Sequence, residues 1–392
     1  MHKKIFENTK RAFKLKTDKE LKRSIFLFKL MSRPWMVSVG TWLTTFSLKY
    51  NLPVKSIIRN TIFKQFCGGE TSKECVPIIE EHFKEKAYTV FDYASEVREK
   101  SDEELESDLD DQIWLSNFAV KYEAIPFVAI KPSQLGRFEI WEKVDAGEKL
   151  TAAEQKSWEG VRNRLDRLCK HGHNIGLKIM IDAEEIWIQT AVDNLVEEMM
   201  EKYNTEQTVV FSTVQCYRWD RPEYMMNLLK RARNKGYKIG MKLVRGAYME
   251  KERRRAAEMG YPSPICKNKQ ETDDVFNSIM KFCLNNIDDI AVYIGTHNEE
   301  SSYLAMEIME ERGIAKDDKR VWFSQLYGMS DNITFNLSAN GYNSAKYMPF
   351  GKVEEVIPYL IRRAEENSSV EGQTGRELSL LLEERERRKK SK

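Results

Sequence analysis

From residue 89 onward, short apolar runs alternate with longer stretches in which apolar residues recur every three or four positions. The runs cover residues 89–91, 126–130, 176–181, 208–214, 238–244, 291–294, 321–323 and 344–348. Runs of this length, bounded by polar turns, predict buried strands. Helical spacing marks residues 152–169, 187–203, 222–235, 271–285 and 299–312 between them. Strands that alternate with helices pair in parallel through right-handed crossovers. Eight such units in about 280 residues are the size of a (βα)8 barrel, an α/β fold. The competing open doubly wound sheet has fewer strands and a glycine-rich turn after its first one. No such turn follows the first run here.

The first 85 residues read differently. Residues 18–30 and 54–66 have helical spacing, the second after Pro53, and Cys67-Gly68-Gly69-Glu70-Thr71 breaks the pattern. The expected organisation is a helical arm over 1–85, a barrel over 86–370 and a charged tail over 371–392. A last helix within the barrel segment would cover the carboxyl end of the barrel. The charge run at 383–390 reads as a solvated helix end or a tail. Residues 136–174 exceed what one barrel helix needs and extend the loop after the second strand.

Composition narrows the class. A chain of 392 residues with 41% hydrophobic content can bury a large core. A net charge of +2 leaves no nucleic-acid footprint. Six cysteines without a CxxC pair suit reduced thiols in a reducing compartment. Cys169, His171 and His173 match no standard ligand spacing and are expected in a surface loop, so no metal is predicted. The apolar segment 35–48 is too short to span a bilayer. Glu7, Asp18 and Glu20 interrupt the basic N-terminus, which has no signal-peptide core. These features point to the cytoplasm.

In a (βα)8 barrel the chemistry sits at the carboxyl ends of the strands. The predicted strands exit into Asp92 and Glu96, Lys131, Asp182, Gln215, Lys242 and Arg245, Thr296-His297-Asn298, Gln325, and Tyr347. A ring of both charge signs suits a polar ligand of some size. Tyr359-Leu360-Ile361-Arg362-Arg363-Ala364-Glu365-Glu366-Asn367 adds two adjacent arginines, with Glu366 three and four residues on. That spacing puts Tyr359, Arg362, Arg363 and Glu366 on one side of a helix. Paired guanidinium groups clamp a small carboxylate through charge-assisted hydrogen bonds.

Several segments carry a resemblance to one family. They are Phe66-Cys67-Gly68-Gly69-Glu70, Asp182-Ala183-Glu184-Glu185, Lys242-Leu243-Val244-Arg245-Gly246-Ala247-Tyr248, Gly295-Thr296-His297-Asn298, Gln325-Leu326-Tyr327-Gly328-Met329 and the region from Tyr347 to Asn367. In this order they resemble the flavin-dependent proline dehydrogenases. The resemblance implies a barrel that holds FAD noncovalently. It also implies oxidation of L-proline to 1-pyrroline-5-carboxylate, the first step of proline catabolism, with electrons passed to a membrane quinone. By resemblance, Arg362, Arg363 and Lys131 bind the substrate carboxylate, and Glu366 sets the arginine geometry. Tyr347, Tyr359 and Leu326 pack the proline ring. Asp182 and Lys242 take the catalytic positions, with Asp182 orienting. Ala183, Gln215, Lys242, Arg245, Gly246, Ala247, Thr296 and His297 would hold the cofactor, and Glu96 would gate the site by pairing with Arg362. Lys242 departs from the arginine of many members, which keeps the charge and loses the fork.

The same scaffold could serve a hydroxyproline dehydrogenase, but a bulky Tyr347 favours proline. A non-catalytic barrel that only binds is the more distant alternative. A quinone-using enzyme must meet the membrane. Residues 11–16 and the basic C-terminal run are the expected contacts, at the inner face of the cell membrane. A separate pyrroline-5-carboxylate dehydrogenase is a possible partner.

Overall fold

The structure, a computed structural model, describes residues 4–49, 54–94, 100–369 and 373–391. All eight expected runs form strands: β1 (Ala87–Tyr93), β2 (Phe127–Ile130), β3 (Lys178–Ile181), β4 (Val210–Gln215), β5 (Ile239–Val244), β6 (Ile290–Gly295), β7 (Val321–Leu326) and β8 (Ser344–Phe350). They close in chain order into a barrel. β8 pairs parallel with β1, Ser344 opposite Ala87 and Phe350 opposite Tyr93. β4 and β5 pair parallel with Thr213 opposite Lys242, and β5 and β6 with Lys242 opposite Tyr293. Each strand is buried along most of its length, so its sequence is an apolar run rather than an alternation.

The chain divides into two compact units. One joins Val97–Thr296 with Leu304–Phe323. In it the Phe127 ring meets Phe211, Tyr293 and Trp322 edge-on, at 5.3, 5.2 and 5.2 Å between centroids. Such T-shaped contacts favour the ring quadrupoles while filling volume. The expected extension after β2 contains a separate helix, Phe138–Asp145, before the helix Ala152–Ile175. The latter starts on a capping box made by Thr151 and Glu154. It runs through His171 and His173, so the loop expected there is the end of a helix instead. Leu165, Leu168 and Cys169 are buried on one face and carry the helix through that segment.

The other unit joins Met1–Glu96, His297–Tyr303 and Ser324–Lys392. Its core includes Phe28, Phe66, Leu360 and Leu381. The stretch expected as a charged tail is a helix, Gln373–Lys390, packed on the helix Asp18–Met31. Leu380 and Leu381 are buried, and Glu384 holds Arg387 and Arg388. Four apolar residues in five outweigh the surrounding charges once a partner helix is available.

Residues 11–16, expected at a membrane, are also engaged within the unit. Ala12 and Phe13 are buried in its core. Lys14 pairs with Glu85 at 2.5 Å, and Arg388 donates to the Phe13 carbonyl at 2.8 Å. The apolar residues that would enter a lipid surface are used for folding.

Candidate active site

In the unit built on β2–β6, the strand ends gather buried polar groups. β3 exits into Asp182, Ala183, Glu184 and Glu185. Lys242, near the end of β5 and buried, forms an ion pair with Asp182. The two residues expected at catalytic positions therefore hold each other. Glu184 accepts from the Ser133 backbone at 2.8 Å and hydroxyl at 2.9 Å, just beyond Lys131. Lys131 itself is buried at the exit of β2. Gln215, the last residue of β4, donates to the Glu184 carbonyl at 2.6 Å. Its Oε1 is buried and makes no hydrogen bond. A buried acceptor left so is costly, which makes it a candidate ligand contact.

Arg245 follows β5. It donates to Asp273 at 2.7 Å and to the Thr296 hydroxyl at 2.7 Å, over the Phe276 ring. Gly246 has φ +133, and a Cβ there would lie 2.5 Å from the Tyr217 ring. Only glycine fits, and Ala247 follows it. Asp273 is a residue the strand-end pattern could not mark, because it lies on the helix Lys269–Asn285. Glu252 is another. Its carboxylate accepts from the Ile186 backbone at 2.8 Å, and burial with Glu185 nearby pushes its pKa up to about 7.

The other unit carries the arginine helix, Val353–Ser369. Arg363 is buried, pairs with Glu366, and sits 5.4 Å from the Tyr359 ring centroid. Its Nε and the Tyr359 hydroxyl are buried without a hydrogen bond. Arg362 is half-buried. Tyr347 is buried on β8, and its carbonyl accepts from the Tyr327 backbone at 2.8 Å. Leu326 ends β7. Glu96, expected as a gate, lies outside the described residues.

His297, in the same unit, bonds through Nδ1 to the Ser330 hydroxyl at 2.9 Å. Ser330 has the left-handed φ of +49, and its N–H donates to Glu377 at 2.9 Å. Next to it, Asp331 lies between Lys346 at 2.7 Å and Lys16 at 2.9 Å. Sequence reasoning missed this network. The available signal was Lys346, a lone charge inside an otherwise apolar strand, which needs a counter-charge when buried.

A family model described as Proline dehydrogenase matches residues 75–376. The chain belongs to the proline dehydrogenase family. Proline dehydrogenase 1, mitochondrial, of Drosophila melanogaster is 39% identical over 245 residues, which are 60% of this chain and 36% of that protein. The human protein of the same name is 40% identical over 236 residues, 59% of this chain and 39% of its own length. The alignments thus span well under half of these two relatives. The carbapenem antibiotics biosynthesis protein CarD of Pectobacterium carotovorum is 33% identical over 323 residues, 82% of this chain and 83% of that protein. Proline utilization A from Bdellovibrio bacteriovorus superimposes with a TM-score of 0.72 over 89% of this chain and 37% of that one. At 22% identity that likeness shows the fold.

The residues present fit the flavin that this family implies. The Gln215 Oε1 is a buried acceptor with no hydrogen bond, suited to a ring N–H. Lys242 and Arg245 are cations suited to the electron-rich end of a flavin and to a pyrophosphate. Gly246 has no Cβ to block close backbone approach.

Proposed function

We propose that this chain is an FAD-dependent proline dehydrogenase that oxidises L-proline to 1-pyrroline-5-carboxylate and passes the electrons to a membrane quinone. The observation that carries the reading is the single helix bearing Arg362, Arg363, Glu366 and Tyr359, with Arg363 buried against Tyr359 and Glu366. That is a carboxylate clamp beside an aromatic wall, the chemistry a small cyclic amino acid asks for.

In the reaction a hydride leaves the ring carbon beside nitrogen, a proton leaves the amine, and a C=N bond forms. FAD, when bound, supplies the two-electron acceptor for that hydride. Arg362 and Arg363 fix the carboxylate, and Lys131 adds a third cation. Glu366 holds the Arg363 fork in one orientation. Tyr347, Tyr359 and Leu326 pack the ring, which restricts it to one approach. Asp182, tied to Lys242, orients the reacting groups. Gln215, Arg245, Thr296 and His297 hold the cofactor, with the backbone at Ala183, Gly246 and Ala247 alongside. Glu96 is assigned the gate.

The test is the visible spectrum of the purified protein. A flavin spectrum that L-proline bleaches without oxygen, and D-proline does not, is expected. A colourless protein, or a yellow one that L-proline leaves unchanged, would overturn the reading and favour a binding barrel.

Two further outcomes follow from the same assignments. Tyr347→Ser opens space midway along β8 and removes aromatic contact. It should cost about 1–3 kcal/mol in kcat/KM for proline while raising the ratio of trans-4-hydroxy-L-proline to proline turnover. Steady-state kinetics with both substrates measures this, and an unchanged ratio would remove Tyr347 from the ring pocket. The reduced protein should reoxidise faster with a short-chain quinone than with oxygen or NAD, since no glycine-rich dinucleotide turn follows any strand. Stopped-flow mixing after anaerobic reduction compares the three acceptors. NAD as the fastest would reverse the acceptor assignment.

A further inference from the structure

The helix Pro34–Lys49 presents a face of exposed apolar side chains. Trp35, Val39, Trp42 and Leu43 follow at helical spacing on one side, and Val37 is buried on the other. Trp35 is 64% exposed and Trp42 62%, and no acid occurs anywhere in the helix. On the preceding helix, Asp18–Met31, an exposed stripe continues the theme. Lys22, Phe26 and Lys29, at i, i+4 and i+7, all face outward, and exposed Arg33 follows. Ile57, just beyond, is 65% exposed. Between Glu20 and Glu70 the chain holds eight lysines and arginines and no acid.

Lys55 pairs with Glu354 and Arg59 with Glu70, but exposed tryptophans on a helix without acids, beside the exposed Lys22, Lys29 and Arg33, are unfavourable in water and suited to one medium. Indole rings settle at the headgroup level of a bilayer, where the ring is apolar and the N–H stays wet. Lysine and arginine beside them meet anionic headgroups. A second protein copy is the weaker fit, because two such cationic faces would repel each other. Sixteen residues of helix span about 24 Å, short of the hydrocarbon core, so the helix would lie in the interface. No helix among the described residues is long and apolar enough to cross a membrane.

We propose that the outer face of the Pro34–Lys49 helix, with the Lys22–Phe26–Lys29 stripe, docks this protein on an anionic lipid surface. The helix packs on Val353–Ser369, the helix that carries Arg362 and Arg363. Docking therefore bears on an element assigned to the substrate. The proposal deepens the quinone reading by naming the surface that meets the membrane, but vesicle binding needs neither proline nor a quinone. Binding without proline oxidation would sink the enzyme reading and leave the surface standing. Oxidation without binding would do the reverse.

The test is co-flotation of the purified full chain with phosphatidylcholine vesicles, with and without phosphatidylglycerol. Binding is expected only when the anionic lipid is present, weakening as salt rises. Brominated acyl chains should quench tryptophan emission in the unaltered protein. The Trp35→Glu/Trp42→Glu double variant should bind about tenfold or more weakly while keeping its turnover with a soluble dye acceptor. Both positions are exposed, and neither belongs to the assigned site. Equal binding by the variant, no quenching, or no binding to anionic vesicles would overturn the proposal. So would a concentration-dependent dimer that the double variant abolishes, since the face would then join two copies.

Discussion

Replacing Arg363 or Arg362 by methionine is expected to raise the KM for L-proline steeply while flavin content stays at the wild-type level. A carboxylate taken out of water loses a charged hydrogen bond, which costs about 2–4 kcal/mol, roughly thirty- to a thousandfold in kcat/KM. Arg363 should show the larger effect. It is the more buried of the two, it lies over Tyr359, and its removal leaves Glu366 without that partner. Glu366→Gln separates the roles. It keeps both arginines and removes the pair, so a smaller rise in KM is expected from a fork that is no longer held. Kinetics of the three variants, with flavin absorbance for occupancy, decides the matter. Arginine variants that behave as wild type would mean that the carboxylate is held elsewhere.

The second large effect is on stability. Asp331 neutralises Lys346, whose side chain is 0% exposed, and also Lys16. Asp331→Asn leaves a buried ammonium without its counter-charge, at about 3–5 kcal/mol. For cooperative units of this size the melting temperature should fall by about 6–20 °C. Lys346→Met in the Asp331→Asn background should recover part of the loss, because the penalty lies in the uncompensated charge. A single variant that melts with the wild type would show that the network contributes nothing.

The same network makes a pH prediction. The Asp331 carboxyl, despite burial, is held well below its usual range by Lys16 and Lys346. Its contribution is present above the unfolded carboxylate pKa and is lost only as pH falls through the depressed value. Glu377 has the opposite sign. Burial and the adjacent Asp331 push it up to about 7. Its contribution is complete below the unfolded value, about 4.3, and is lost as pH rises through about 7. The melting temperature should therefore fall between about pH 5 and about pH 8, and Glu377→Gln should flatten that slope. Glu252, also raised to about 7, adds in the same direction.

The barrel was legible in the chain because a strand buried on both faces must be apolar throughout, and the helices between must turn one face inward. Those periodicities are local and survive without any contact being known. Only the ends of β1–β8 moved, because hydrogen bonding to a neighbouring strand, not side-chain character, decides where a strand stops. Asp182, Lys242, Gln215 and Arg245 were legible as candidates for a related reason: strand exits in this fold are fixed by chain order.

Their partners were not legible. That Lys242 answers Asp182, that Arg245 answers Asp273 on a helix, and that Gln215 keeps a buried oxygen without a hydrogen bond all depend on distances between remote segments. Tertiary packing also decided the fate of the charged segments. Residues 11–16 and 376–390 both set cations beside apolar residues, as does the segment from Lys22 to Lys49. In the first two the apolar residues found a partner helix and were buried. Trp35 and Trp42 stay mostly exposed. Composition records how much apolar surface a segment has, and only the fold determines whether another segment is there to cover it.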